Sequence, residues 1–195
     1  CINHCFNKII FCVMVESRNI TGIVLAGGKS SRMGSDKGLL TMNSKMFIER
    51  VIDALKPLVD DIIIVSNNKT YDQFGYQRVT DIFKDSGPLA GLYSGLYHSE
   101  TEFNLVLSCD IPMITTEVLY KLVDTDYKNY DVVQIQSEHK TMPLIAIYKK
   151  TCLNKCLELL KQGERRLRFA VSQLNTKTII IDSEWSKLVR NINTV

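Results

Sequence analysis

The sequence predicts a single α/β domain with a doubly wound, Rossmann-like sheet that is mainly parallel and carries helices on both faces. Continuous apolar runs alternate with segments of helical periodicity, the pattern of parallel strands joined by crossover helices. The chain of 195 residues, 45% of them hydrophobic, is long enough for one domain to bury roughly 70% of its unfolded surface. No repeat, low-complexity tract or linker divides it.

The first strand is predicted at Ile20 to Leu25, a continuously apolar run typical of a strand covered on both faces. Residues 1–19 are expected to form an N-terminal extension outside the fold, so the predicted domain spans 20–195. A glycine-rich loop follows the strand.

The next helix is indicated by apolar residues at three- and four-residue spacing, closed by a proline: Ile48, Val51, Ile52, Leu55 and Pro57. Asp61 to Ser66 is a second buried strand, and Val79 to Asp81 is a short strand end. Ser86-Gly87-Pro88 opens a helix, because serine can cap it and proline suits its first turn.

The second half continues the alternation. Phe103 to Asp110 is predicted to be a strand that ends in a carboxylate, and Thr115 begins a helix with inward-facing Val118, Leu119 and Leu122. The remaining predicted elements are strands at Asp131 to Gln136, Met142 to Tyr148 and Thr178 to Ile181, with helices near 151–162 and 165–174.

The charge, the apolar segments and the cysteines of the chain limit which binding partners and which cellular compartment are expected. The formal net charge of +3 is small and dispersed, so it implies no nucleic-acid partner, and no apolar segment reaches the length of a membrane span. The six cysteines are expected to be free thiols in a reducing cytoplasm, because several lie within predicted strands or helices.

Between Ile23 and Lys37 a buried strand runs into a loop suited to phosphate. Gly27-Gly28 releases the backbone from the limits a Cβ imposes, so that successive N–H groups can face phosphate oxygens. Arg32 and Lys37 add two cations, a combination that suits a triphosphate. The spacing fits neither the P-loop nor the dinucleotide pattern, and a plain turn with a solvated basic face remains the alternative.

Ligands of open α/β sheets bind beyond the carboxyl ends of the strands. The phosphate loop, Ser66-Asn67-Asn68, Asp81 and Asp110 all follow predicted strands, so they should share one rim. Asp110 can hold Mg²⁺ there, bridging phosphate oxygens. The alternatives are a helix cap for Asp110 and a turn residue for Asp81.

The stretch Leu25-Ala-Gly-Gly-Lys-Ser-Ser-Arg-Met-Gly-Ser-Asp-Lys37 resembles the signature loop of sugar-phosphate-type nucleotidyltransferases. Its Arg-Met-Gly-x-Asp-Lys form is similar to the MobA-like molybdenum cofactor guanylyltransferase family. The resemblance implies a nucleotide-diphospho-sugar transferase-like fold and an Mg²⁺-dependent enzyme. Such an enzyme transfers GMP from GTP to molybdopterin-type molybdenum cofactor, giving the guanine dinucleotide and pyrophosphate. It also implies contact with cofactor-synthesis proteins or molybdoenzymes.

The same resemblance implies roles for individual residues. Leu25, Ala26 and Gly27 would contact the nucleotide through their backbone, and Lys37 would bind phosphate oxygens. Asp81 would contact bound GTP. Leu107-Ser-Cys-Asp-Ile-Pro112 resembles the metal-binding segment, which makes Asp110 the metal ligand and, with Arg32 and Lys37, part of the catalytic set.

Three further segments resemble the family. Asp85-Ser-Gly-Pro-Leu-Ala-Gly91 looks like its second glycine motif, so Gly87 and Gly91 would shape the nucleotide pocket. Gly163-Glu-Arg-Arg166 would hold the pterin phosphate through Arg165 and Arg166, while Asn191 and Asn193 would reach back into the site. Tight packing, solvated arginines and a plain polar tail are the respective alternatives.

Two other functions stay open at this point. A related enzyme that uses CTP or another acceptor phosphate would share the loop and Asp110, because no residue in the sequence alone reads the base. A non-catalytic nucleotide-binding protein could also keep this fold. The presence of Arg32, Lys37 and Asp110 together favours an enzyme.

Overall fold

The computed structural model describes residues 19–27 and 36–192. The predicted extension therefore lies outside the described residues up to Arg18, as do Arg32 and Asn193. The strands are β1 (Ile20–Leu25), β2 (Thr41–Met42), β3 (Lys45–Met46), β4 (Asp61–Val65), β5 (Gln77–Val79), β6 (Phe103–Ser108), β7 (Val132–Ser137), β8 (Lys140–Lys149) and β9 (Thr176–Ile180). The α-helices are α1 (Phe47–Leu55), α2 (Gly87–His98), α3 (Thr116–Val123), α4 (Cys152–Lys161) and α5 (Leu167–Ser172).

Four 3₁₀ segments connect these elements within the described chain, at Lys37–Leu39, Lys56–Leu58, Lys69–Phe74 and Ser183–Val189. Pro57 lies in the second of them, immediately after α1, which agrees with the predicted end of that helix. Pro88 stands in the first turn of α2, as predicted, although the Ser86 hydroxyl donates to the Lys84 carbonyl and does not cap the helix.

The main sheet has seven strands in the order β5-β4-β1-β6-β8-β7-β9. Strand β8 is antiparallel to both neighbours, and the other pairs are parallel. The predicted α/β class and the mainly parallel sheet are therefore confirmed.

Strands β7 and β8 form a hairpin that the sequence analysis did not predict. Its turn is Glu138-His139, with φ of 48° and 64°, and both strands extend further toward the turn than their apolar runs indicated. Left-handed backbone at both positions suits a tight hairpin turn, but neither residue belongs to the usual Asn-Gly or Asp-Gly signals.

Helices cover the sheet on both faces and bury two apolar clusters. Helices α1 and α3 pack on one face, where Ile48, Leu55 and Leu119 are fully buried. Helices α2, α4 and α5 pack on the other, where Leu89 and Cys156 are fully buried. The continuous apolar runs of β1 and β6 are explained by this double coverage.

The strand order reverses next to β1. The chain moves outward from β1 to β4 and β5, then returns to place β6 on the opposite side of β1. A crevice opens at such a switch point, beyond the carboxyl ends of the two strands. The fold thus predicts a ligand site between the ends of β1 and β6.

Two further expectations concern membrane spans and thiols. In the part of the chain that the structure describes, no helix is both long enough and apolar enough to cross a bilayer. Cys109, Cys152 and Cys156 are buried free thiols, so the expected thiol state is confirmed for these three, while Cys1, Cys5 and Cys12 lie outside the described residues.

Candidate active site

The end of β1 is held from both sides at the switch point. The Ala26 N–H donates to the Val65 carbonyl at 2.9 Å, and the Cys109 N–H donates to the Leu25 carbonyl at 3.1 Å. Ala26 is fully buried, whereas Gly27 is exposed. The strand therefore delivers the chain to the crevice at Gly27, where the predicted backbone contacts to a nucleotide would begin.

Lys37 begins the 3₁₀ turn that follows the glycine-rich loop. The residue before it, Asp36, caps that turn by accepting from the Gly38 N–H at 3.2 Å. A Cβ on Gly38 would lie 3.2 Å from the Cys109 sulfur. Since Cys109 follows β6, this packing places the turn that bears Lys37 beside the end of that strand.

Lys37 and Asp110 both influence the pKa of the buried Cys109 thiol. Burial raises the pKa of Cys109, the carboxylates of Asp110 and Asp36 raise that pKa further, and Lys37 lowers it. The packing agrees with these effects, because Gly38, the neighbour of Lys37, lies against the Cys109 sulfur and Asp110 follows Cys109 directly in the chain. The structure thus brings Lys37 and Asp110 to one side of the molecule.

Asp110 is held by the C-terminal segment. Its Oδ2 accepts from the Asn191 side-chain amide at 3.1 Å, and its backbone carbonyl accepts from the Ile192 N–H at 2.8 Å. On the other side, the Arg50 Nε of α1 donates to the Pro112 carbonyl at 2.8 Å, which fixes the loop after Asp110.

One oxygen of Asp110 is left over. Oδ1 is buried, and no described residue donates a hydrogen bond to it. A buried carboxylate oxygen without a partner costs free energy, which a cation or a ligand donor would offset.

The Asp110 Oδ1, which accepts no hydrogen bond from the described residues, is a candidate ligand for a divalent cation. Among residues 19–27 and 36–192, no cluster of three His, Cys, Asp or Glu side chains is placed to hold a metal alone. Mg²⁺ is commonly bound by one or two carboxylates with water and substrate phosphates. A single carboxylate with a spare oxygen, close to Lys37, therefore fits a metal that arrives with its nucleotide.

Asp81 provides a second buried carboxylate oxygen, at the end of β5. Its Oδ1 has no described hydrogen-bond partner, while its backbone N–H donates to the Asn67 side-chain oxygen at 3.1 Å. Burial raises the pKa of Asp81, and the Asn67 amide opposes that rise. A Cβ on Gly91 would lie 3.7 Å from this Oδ1 and 3.5 Å from the Leu25 methyls, so the second glycine motif packs against Asp81.

Gly87 joins the second glycine motif to the arginine segment. Its φ is +68°, and a Cβ there would lie 3.4 Å from the Arg165 carbonyl oxygen. Glu164 accepts from the backbone N–H groups of Arg165 and Arg166, each at 2.8 Å, and from the Arg166 guanidinium. These bonds lower the pKa of Glu164 to about 2, so it stays ionised and Arg166 is held in one place.

A cleft of about 800 Å³ opens beside Asp110. It is bounded by the β7–β8 hairpin, the start of α5 and the C-terminal 3₁₀ segment. Its lining includes Asn191, the Glu138 carboxylate paired with Arg190, and a set of cations and apolar side chains: Lys140, Arg166, Arg168, Arg190, Ile111, Met142, Leu144, Leu167 and Val189. Such a lining suits a flat apolar ligand that carries an anionic group.

Not every predicted site residue falls into this arrangement. Arg166 and Asn191 line the cleft, whereas Arg165 does not belong to its lining and contributes its carbonyl oxygen to the packing at Gly87. Arg32 and Asn193 lie outside the described residues.

Tyr71 and the role of Asp36 were not predicted from the sequence. Both residues contact the turn that bears Lys37, but Tyr71 lies in a short 3₁₀ segment that has no periodic pattern. Arg168 and Arg190, which line the cleft, were not predicted either. Only their position in the fold could have revealed them.

A family model described as "MobA-like NTP transferase domain" matches residues 22–177. The chain belongs to the MobA-like NTP transferase family. The match extends from within β1 to the start of β9, and so includes Lys37, Asp81 and Asp110 within one family domain. This agrees with the resemblance noted from the signature loop.

Two curated relatives of this MobA-like chain match over most of its length. The protein named "Probable molybdenum cofactor guanylyltransferase" from Flavobacterium johnsoniae is 39% identical over 174 residues, covering 89% of this chain and 92% of the relative. The molybdenum cofactor guanylyltransferase of Vibrio parahaemolyticus is 32% identical, covering 93% and 94%.

A solved structure supports the MobA-like fold. Molybdopterin-guanine dinucleotide biosynthesis protein A from Archaeoglobus fulgidus superposes with a TM-score of 0.75 at 24% identity, covering 89% of this chain and 92% of that one. At this identity the likeness concerns the fold. The predicted nucleotide-diphospho-sugar transferase-like architecture is confirmed by such neighbours.

Proposed function

We propose that this chain transfers GMP from GTP to the terminal phosphate of molybdopterin-type molybdenum cofactor, releasing pyrophosphate. One observation carries the proposal: the turn that bears Lys37 packs against Cys109, the residue before Asp110, beside a cleft large enough for a second substrate. The names of its relatives support the choice of substrates.

The nucleotide is proposed to lie across the end of β1. Gly27 is exposed where the strand ends, so the backbone there can meet the phosphates, with Lys37 donating to phosphate oxygens. Asp81 and Gly91 are proposed to form another side of the nucleotide site, where Gly91 packs beside Asp81 Oδ1 and Leu25. A buried carboxylate oxygen with no described donor can accept N–H groups of a guanine or hydroxyl groups of a ribose.

Asp110 is proposed to hold Mg²⁺ through Oδ1, while Asn191 occupies Oδ2. The ion would neutralise phosphate charge as the acceptor phosphate approaches the α-phosphorus and pyrophosphate departs. The chain itself would position the substrates and supply positive charge. In this proposal Lys37 and Arg32 stabilise the negative charge that develops on the leaving pyrophosphate. The Asn191 contact keeps the second carboxylate oxygen from turning away.

The acceptor is proposed to occupy the cleft. Its apolar lining suits a ring system, and Arg166, Lys140 and Arg168 supply positive charge for a phosphate. Asn191 belongs to this lining and also binds Asp110. It therefore connects the acceptor side of the site to the metal side, and Asn193 and Arg165 remain proposed contacts nearby.

To test the proposed function, the purified protein is incubated with molybdopterin, Mg²⁺ and each of the four nucleoside triphosphates in turn. We expect pyrophosphate release and a guanine dinucleotide product with GTP alone. Product labelled from CTP would overturn the choice of base but keep the enzyme class. Nucleotide binding without any product from the four would favour the non-catalytic alternative.

Arg166→Gln is expected to raise the KM for the acceptor about tenfold with little change in the KM for GTP, because it removes one cation from the cleft. Steady-state kinetics with each substrate varied in turn measures the two constants. Lys161→Gln is the matched comparison, since it removes an equal charge at the exposed end of α4, outside the cleft lining. An equal effect of both substitutions would show that acceptor binding depends only on the net charge of the protein and not on Arg166.

The setting of the reaction completes the proposal. Buried free thiols at Cys109, Cys152 and Cys156 suit a reducing compartment, and we expect the cytoplasm. Proteins that supply or receive the cofactor are expected partners. The domain proposed for this activity spans 20–195, with residues 1–19 as an extension.

A further inference from the structure

Asp36 is the centre of a hydrogen-bond hub directly before Lys37. Its Oδ1 accepts from the Tyr71 hydroxyl at 2.5 Å and from the Gly38 N–H at 3.2 Å. Its Oδ2 accepts from the Asn68 side-chain amide at 3.0 Å. Both carboxylate oxygens are thus committed, and the bonds bracket Lys37 from the residue before it to the residue after it.

We propose that Tyr71 and Asn68 are positioning residues, which act through Asp36 to aim Lys37 at the triphosphate. The proposal rests on the proposed function, because it assigns these residues to the phosphate contact made by Lys37. Both donate to Asp36 from the segment that follows β4. In this proposal each residue acts through the turn that bears Lys37, by its hydrogen bond to Asp36.

The packing around Tyr71 explains why a tyrosine at this position fits against the turn that bears Lys37. The Tyr71 side chain is fully buried, and a Cβ on Gly38 would lie 2.3 Å from its hydroxyl oxygen. No real side chain tolerates that approach, so the turn and the phenol fit only because position 38 is glycine. The hydroxyl therefore sets how closely the turn bearing Lys37 approaches the core.

The hydroxyl is also a permanent donor. Burial raises the pKa of Tyr71, and nearby Cys109 and Asp36 raise it further. The Tyr71 hydroxyl consequently stays protonated at neutral pH. Its hydrogen bond to the Asp36 carboxylate is charge-assisted and short.

The segment that carries the two donors is itself anchored. Asn68 caps the 3₁₀ segment Lys69–Phe74 by accepting from the Thr70 N–H at 3.0 Å. The Arg78 guanidinium of β5 binds Asp72 of the same segment and the Ser66 carbonyl. These contacts tie the two donors to strands β4 and β5, and through Asp36 they connect the turn that bears Lys37 to the sheet.

A double-mutant cycle on GTP affinity tests the proposal. Tyr71→Phe, Lys37→Met and the double variant are compared with the parent by calorimetric titration with GTP and Mg²⁺. Tyr71→Phe is expected to weaken binding about fivefold to twentyfold. In the Lys37→Met background the same change should cost less than about twofold, because the group that it positions is gone. Equal losses in both backgrounds would overturn the proposal.

Controls separate positioning from a general loss of stability. Tyr148 is also fully buried, and its hydroxyl donates to the Pro143 carbonyl at 2.7 Å, so Tyr148→Phe removes a similar bond from another part of the sheet. We expect its GTP affinity to match the parent. A loss equal to that of Tyr71→Phe would mean that any buried hydroxyl matters, and would also overturn the proposal.

A second substitution covers the case in which Tyr71→Phe folds poorly. Asn68→Asp keeps an oxygen to cap Thr70 but replaces the donor to Asp36 with a like charge. The same dependence on Lys37 is expected, and its absence would refute the hub. The parent protein separates the two proposals: if it binds no GTP, the proposed function fails, whereas normal GTP binding with no effect of either substitution defeats the hub alone.

Discussion

Replacing Asp110 by asparagine is expected to lower the turnover number by about a hundredfold or more. The substitution keeps the size of the side chain and lets Asn191 retain a hydrogen-bond partner, but it removes the negative charge proposed to hold Mg²⁺. Lost charge stabilisation of the phosphates amounts to several kcal/mol, on the order of 3 kcal/mol. Pyrophosphate release at saturating GTP and acceptor measures the effect, with Mg²⁺ varied over a wide range.

The thermal stability of Asp110→Asn should not fall together with its activity. Because Asp110 Oδ1 is buried without a described donor, neutralising the carboxylate removes a desolvated charge. We expect the melting temperature of the metal-free variant to equal or exceed that of the parent. A large loss of both activity and stability would instead indicate that Asp110 serves the fold.

Two comparisons make the Asp110 result specific. Asp124→Asn removes an equal charge from an exposed residue at the end of α3, and its turnover should match that of the parent. Mg²⁺ should tighten GTP binding to the parent but not to Asp110→Asn. Turnover of Asp110→Asn within about twofold of the parent would refute the metal role.

The strands were predictable because their local pattern and their environment agree. Ile20–Leu25 is an unbroken apolar run, and the structure covers β1 on both faces, so the predicted bounds match. The β7–β8 hairpin was not predictable from such a pattern. Its turn residues, Glu138 and His139, adopt left-handed backbone, although they are not the Asn-Gly or Asp-Gly pair that usually signals a two-residue hairpin turn.

The candidate site also contains residues that could be predicted from the sequence and residues that could not. Asp81 and Asp110 could be placed on one rim because each follows a strand, and parallel strands end at one edge of the sheet. The hub could not be predicted, since Asp36 and Tyr71 are 35 residues apart and meet only through packing. The cleft is likewise built by segments from the hairpin, α5 and the C-terminal region, whose cations look dispersed in the sequence.

Lys37→Met is expected to weaken GTP binding about thirtyfold to a hundredfold and to slow turnover as well. Methionine retains the aliphatic part of the side chain, so packing is largely kept while the ammonium is lost. The loss should concentrate on the phosphates: affinity for GTP falls steeply, affinity for GMP falls less, and affinity for guanosine hardly changes. Titration with the three ligands under identical salt measures this gradient.

Salt and charge substitution extend the test. Binding that depends on a cation weakens as ionic strength rises, so the salt dependence of GTP affinity should be shallower in Lys37→Met than in the parent. Lys161→Met removes an equal charge at the exposed end of α4 and should leave that dependence unchanged. Lys37→Arg should recover much of the affinity but less of the turnover, because a planar fork meets phosphate oxygens differently from a point charge. Equal losses for GTP and guanosine would mean that Lys37 supports the fold of the loop, and the phosphate contact would have to be assigned elsewhere.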